Sequence, residues 1–253
     1  MNIVLLNPNT SLAMTEHIVR EAGRHGWPGA SLVPVTARFG GEVIASRASY
    51  AIAAHAALDA YACHVGRGAA AIVLACFGDP GLEALREVSG VPVVGLLESA
   101  VAEAARAGGP FGIVTAGPAW VPMLDERIRS GPHAALSRGV FAIQTTGLDV
   151  TRDPGGFVEV LQEAVNAATA AGADTVILGG SALAGFGPRL SGKTRLIDPL
   201  EAAMAELRRR LETGAGPGAL AGAVDAATGP KVSIAYRGVS PELAELLACS
   251  PVS

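Results

Sequence analysis

The sequence predicts an α/β protein of two similar lobes, each a four-stranded parallel sheet flanked by helices, with the active site in the interlobe cleft. Three observations carry that prediction. Short runs rich in Val, Ile and Leu alternate with longer stretches of helical periodicity, as parallel strands joined by crossover helices require. The alternation then starts again: "AIVLAC" (71–76) lies over "TVILGG" (175–180), and "IVLLNPNTS" (3–11) matches "GIVTAGPAW" (112–120) in position. The composition, 50% hydrophobic, 17% charged and with 32 glycines, suits packed α/β layers with many tight turns.

In chain order, strands are expected at Ile3–Leu6, Ser31–Val35, Ala71–Ala75 and Val91–Gly95. Helices are expected between them at Leu12–Gly23, Ala48–Ala62 and Gly81–Val88. Thr10 or Ser11, Ser46 and Asp79 are their candidate N-caps. A further helix carries Glu98-Ser99-Ala100. The second round places strands at Phe111–Thr115, Val140–Thr145, Thr175–Gly179 and Thr194–Ile197, with helices near Ala119–Arg129, Gly156–Ala171 and Pro199–Glu212. The first lobe is drawn at 1–105 and the second at 106–212. A Gly/Ala-rich linker follows Glu212, then a strand-like "VSIAYRG" and a small helix at Pro241–Leu247; this tail, 213–253, is expected to pack on the first lobe. Ligands of open parallel sheets sit beyond the carboxyl ends of the strands, so the loops after Leu6, Ala75, Val114 and Gly179 are expected to ring one cleft.

Several function classes are disfavoured. The net charge is −4 and no Lys/Arg run stands out, so the footprint of a nucleic-acid binder is missing. Arg208-Arg209-Arg210 sits among glutamates on a helical pattern and reads as a solvated helix end. "MNIVLLNPNTS" has no basic n-region and reads as a first strand. The longest fully apolar run, Ala69–Phe77, is far short of the roughly 20 residues that span a bilayer. Three cysteines (Cys63, Cys76 and Cys249) form no CxxC pair, which with the rest points to a soluble, cytoplasmic protein. No HxxxH or HxH pair occurs, and no metal site is expected.

"GPRLSGKT" (187–194) fits the phosphate-loop pattern, but the mechanism of that loop needs a strand directly before it and a helix directly after. Here the preceding strand ends near Gly179 and "TRLIDP" reads as a strand, with Asp198 and Pro199 as N-cap and N1 of the next helix. "GAGPGA" (214–219) follows a helix and reads as a linker.

Cys76 is the candidate for chemistry. It lies at a strand's carboxyl end, and Phe77-Gly78-Asp79-Pro80 opens a turn into a helix. Nearby helix-terminal amides would lower the thiol pKa. Because only Cys76 is expected at the cleft, it should be alkylated before Cys63 or Cys249, and bound ligand should slow that reaction. Cysteine is equally a small core hydrophobe, and Asp79 would oppose a thiolate. Asn7-Pro8-Asn9-Thr10-Ser11 reads both as a turn with a helix cap and as a polar surface for a ligand.

"NPNTSLAMT" (7–15), "ACFGDPGLEALRE" (75–87), "TAGPAWVPMLDE" (115–126) and the two-lobed repeat together resemble the hydantoin and allantoin racemases of the aspartate/glutamate racemase superfamily, over about residues 1 to 211. The resemblance implies a homo-oligomer acting on a small molecule without cofactor or metal. It also implies one cysteine from each lobe flanking the carbon whose proton is exchanged. The first family cysteine falls on Cys76; the second falls on Gly180, with Ser181 one residue on. The alternatives that follow are a one-base decarboxylase or lyase, or a binding protein that has lost a catalytic group. For any proton transfer next to a carbonyl, the enolate oxygen needs donors. Those expected are the N–H groups of Phe77-Gly78 and Gly180-Ser181, helped by Asn9 and Thr115, with Asp79 beside them.

Overall fold

Four apolar runs make the centres of two sheets: β1 (Asn2–Asn7), β3 (Ala69–Leu74), β5 (Phe111–Ala116) and β7 (Thr175–Gly179). They are buried along nearly their whole length, as strands covered by helices on both faces must be. The flanking strands β2 (Ser31–Thr36), β4 (Val93–Gly95), β6 (Ser137–Ile143) and β8 (Arg195–Ile197) are shorter or half-exposed. The strand orders are β2-β1-β3-β4 and β6-β5-β7-β8, all parallel and in two separate sheets. Pro34 sits in β2, an edge strand, where its missing N–H costs no ladder bond. The computed structural model describes residues 1–25, 27, 29–64, 68–213 and 236–249.

The crossovers are α1 (Leu12–Arg24), α2 (Arg47–Ala62), α3 (Leu82–Ser89) and α4 (Leu96–Arg106) in the first round. The second round has α5 (Trp120–Arg129), α6 (Gly147–Arg152), α7 (Val158–Ala170) and α8 (Pro199–Glu212), and α9 (Pro241–Cys249) lies in the tail. Ser11 caps α1 by accepting from the Met14 N–H, and Ser46 with Ser49 forms a capping box on α2. Asp198 caps α8, accepting from the N–H groups of Leu200 and Glu201, with Pro199 at the first position. "SGKT" therefore runs into β8 and not into a helix.

Two helices tie the sheets together. α4 packs on α8 and reaches β7 and β8, while α8 reaches back to β3 and β4. Reciprocal ion pairs join them, Arg210 to Glu98 at 3.3 Å and Arg106 to Glu206 at 3.6 Å. α9 lies against α2, with Leu243 buried. Residues 214–235 are outside the described residues, and with them most of the linker and of the strand expected at "VSIAYRG".

Two expectations are corrected. Asp79 does not cap its own helix; Gly81, in a left-handed conformation, occupies that position without a side-chain bond. The Asp79 carboxylate instead accepts the N–H groups of Leu97 (3.0 Å) and Glu98 (2.9 Å) and so caps α4. A Cβ at Gly95 would run into that carboxylate, which is why β4 ends in glycine. The strand expected at Val140–Thr145 ends at Ile143, because Thr146 and Asp149 form a capping box that opens α6. Among the described residues no helix is long and apolar enough to cross a membrane.

Candidate active site

The carboxyl ends of the central strands converge on a cavity of about 200 Å³. Asn9 lines it from the loop after β1 and Cys76 and Phe77 from the loop after β3. Thr115 enters at the end of β5, and Gly180 and Ser181 come from the loop after β7. Strand register equates the two thiol positions. Leu74 pairs with Gly95, the N-cap of α4, and Ile177 pairs with Ile197, one residue before the N-cap of α8. Leu74 and Leu178 are thus equivalent, and two residues beyond each lie Cys76 and Gly180.

The two loops interlock across the cleft. Ser181 Oγ donates to the Ala75 carbonyl at 2.9 Å, and the Phe77 ring lies against Gly179. A Cβ at Gly179 would stand 2.6 Å from Phe77 Cε1 and 2.7 Å from Ile113 Cγ2. At Gly180 it would meet only Leu183, at 3.7 and 3.9 Å, and the backbone there (φ 163°) is extended. We expect Gly179→Ala to cost roughly 1–3 kcal/mol of stability through overpacking, and Gly180→Ala to leave the urea midpoint nearly unchanged. Equal losses for both variants would contradict this geometry.

Asn7, buried, holds the first loop: its Nδ2 faces Asn9 Oδ1 (2.8 Å), Thr15 Oγ1 (3.0 Å) and the Ser11 carbonyl (3.2 Å). Asn9 Oδ1 also accepts the Ser11 N–H at 2.9 Å. The Asn9 Nδ2 and the Thr115 hydroxyl bond no group among the described residues. The N–H groups of Phe77 and Ser181 are likewise without a partner there. Gly78 and Asp79 do not line the cavity. The Gly78 carbonyl accepts the Tyr50 hydroxyl at 2.7 Å, and Asp79 points to α4. Glu42, in the loop after β2, does line it, although nothing in its sequence setting singles it out.

The expected low thiol pKa is corrected. Cys76 is 7% exposed, and burial together with the negative field of Asp79 pushes its pKa far up, so the resting group is a thiol. Iodoacetamide is therefore expected to label the half-exposed Cys63 before the buried Cys76. Asp79 itself is pushed up to about 7 by burial, against the N–H groups of Glu98 and Leu97, which favour its charge. A carboxyl whose folded pKa lies above its unfolded value stabilises most at low pH, and that contribution is lost as pH rises towards about 7. Asparagine does not titrate. From pH 5 to pH 8 the wild type should therefore lose urea stability relative to Asp79→Asn, and the Cys76 thiol of that variant should alkylate faster. A gap independent of pH would contradict the burial assigned to Asp79.

Among the described residues no group of three His, Cys, Asp or Glu side chains is placed to hold a metal ion. The profile of the Asp/Glu/hydantoin racemase family matches residues 3–207 of this sequence. The chain belongs to that family. A hydantoin racemase of Pseudomonas sp. (strain NS671) is 34% identical over 197 residues, covering 75% of this chain and 77% of that protein. Allantoin racemase from Klebsiella pneumoniae superposes with a TM-score of 0.79 at 29% identity, covering 85% of this chain and 89% of that one. Allantoin racemase from Pseudomonas fluorescens gives 0.80 at 27% identity, with coverages of 85% and 92%. The chain is accordingly an enzyme of the racemase type.

Proposed function

We propose that this racemase inverts 5-substituted hydantoins without a cofactor, Cys76 exchanging the proton on the ring carbon next to the carbonyl. One observation carries the reading. Among the described residues lining the cavity the ionisable side chains are Cys76 and Glu42, with no Lys or Arg. A neutral or singly anionic ring suits such a lining; a dicarboxylate would be desolvated there without a counter-charge. The likeness to a hydantoin racemase supports the same substrate class.

In the proposed reaction the Cys76 thiolate takes the C5 proton, the C–H pair becomes a C=C bond and the carbonyl pair moves onto oxygen. The N–H groups of Phe77 and Ser181, the Asn9 amide and the Thr115 hydroxyl are the donors available to the enolate. On the opposite face stands Gly180, which has no proton to give, and the Ser181 hydroxyl is committed to Ala75. Solvent water therefore protonates that face, and the hydroxide it leaves removes the proton from the Cys76 thiol, restoring thiolate. Because burial keeps the thiol protonated at rest, the thiolate fraction and kcat/KM should rise about tenfold per pH unit through the neutral range. Polarimetry of single-enantiomer hydantoins at pH 6.5, 7.5 and 8.5 tests this. A flat profile, or no loss of rotation with any hydantoin, would remove Cys76 or the substrate class from the reading.

A further inference from the structure

A second cavity, about 370 Å³, opens between α4, α5 and α8 on the side of Asp79 away from the cleft. Its mouth carries the exposed Arg106, Arg127 and Arg209. Arg106 and Arg209 are paired with Glu206, whereas Arg127 forms no ion pair among the described residues. Leu97, Val101 and Ile128 supply apolar wall, and Glu98 and Glu206, which also line it, are both paired with Arg210. Ser99, 1% exposed, also lines it, and its Oγ has no hydrogen-bond partner. A buried hydroxyl without a partner is costly, and a buried polar atom of this kind calls for an occupant.

We propose that this cavity binds a small organic carboxylate whose apolar body carries a second polar atom at its far end. The carboxylate meets the Arg127 guanidinium at the mouth, the body lies against Leu97, Val101 and Ile128, and the far polar atom takes the Ser99 hydroxyl. The site is separate from the cleft yet coupled to it. The Asp79 carboxylate belongs to its lining, and the Asp79 N–H donates to the Cys76 carbonyl at 3.1 Å. An anion beside Arg127 therefore acts on the residue whose charge opposes the Cys76 thiolate.

The test is isothermal titration of the full chain with 4-hydroxybenzoate, which reads binding and does not depend on turnover or on the hydantoin reading. Saturable binding is expected, weakened on the order of tenfold by Arg127→Met and by Ser99→Ala, each of which deletes one hydrogen bond to the occupant. Neither residue lines the cleft. Ser99→Ala also removes the orphaned hydroxyl, so its thermal midpoint should be unchanged or higher. Inorganic phosphate, with no apolar body, should bind more weakly than 4-hydroxybenzoate. No saturable binding, an affinity untouched by both substitutions, or tighter binding of phosphate would each overturn the proposal.

Discussion

Cys76→Ala is expected to lower racemisation of hydantoins by on the order of 10²–10⁴-fold while leaving the fold intact. The thiol is one of two ionisable side chains among the described residues of the cleft, and Glu42 lies in a different loop. Alanine leaves a small void in a well-packed place, so the urea midpoint should fall modestly. Cys76→Ser is the companion variant. It keeps the shape of the side chain, but its hydroxyl is far too weak an acid to supply a base near neutral pH, so activity should stay low, and a buried hydroxyl should give no stability gain over alanine. Activity retained in Cys76→Ala with lost activity in Glu42→Gln would transfer the proton-exchange role to Glu42.

Gly180→Cys is expected to raise racemisation by a comparable factor, on the order of 10²–10⁴-fold. Position 180 is the equivalent of Cys76 by strand register, and it faces the same cavity from the other lobe. The extended backbone there accepts any side chain, and the new Cβ meets only Leu183 at ordinary contact distance. A second thiol would donate to the face that water serves in the wild type. In the Cys76→Ala background the same substitution should restore at most one-thiol activity, with water serving the Cys76 face, and should fall well short of Gly180→Cys alone. A folded Gly180→Cys protein with no gain would favour a one-base enzyme or a binding protein on this scaffold.

The repeat, the four strands of each round and the position of Cys76 were legible because they rest on local patterns: apolar runs, glycine loops and caps such as Ser11, Ser46 and Asp198. Asp79 was misread because its partner helix begins seventeen residues later, and only tertiary packing brings its carboxylate to the Leu97 and Glu98 amides. The opening of α6 was readable in principle, since Thr146-Gly147-Leu148-Asp149 is a capping-box pattern. Glu42 gave no such signal, because a charged residue in a glycine loop looks the same whether it faces solvent or a cleft. The thiol pKa was misjudged for a related reason. Spacing placed Cys76 near helix amides, but the depth of burial that overrides them depends on Phe77 and Gly179 meeting across the lobes. For the same reason sequence could not tell Gly179, which admits no Cβ, from Gly180, which does.

Deuterium entry at C5, followed by NMR in D2O alongside optical rotation for each pure enantiomer of one hydantoin, tests the single-thiol account most directly. The enantiomer whose C–H faces Cys76 should take up deuterium faster than it inverts, because the thiol proton exchanges with solvent and returns to the same face. The other enantiomer should exchange no faster than it inverts, and Gly180→Cys should erase the difference. If both enantiomers of the wild type exchange and invert at one common rate, or if exchange persists in Cys76→Ala, Cys76 is not the lone proton-transfer group of this cleft.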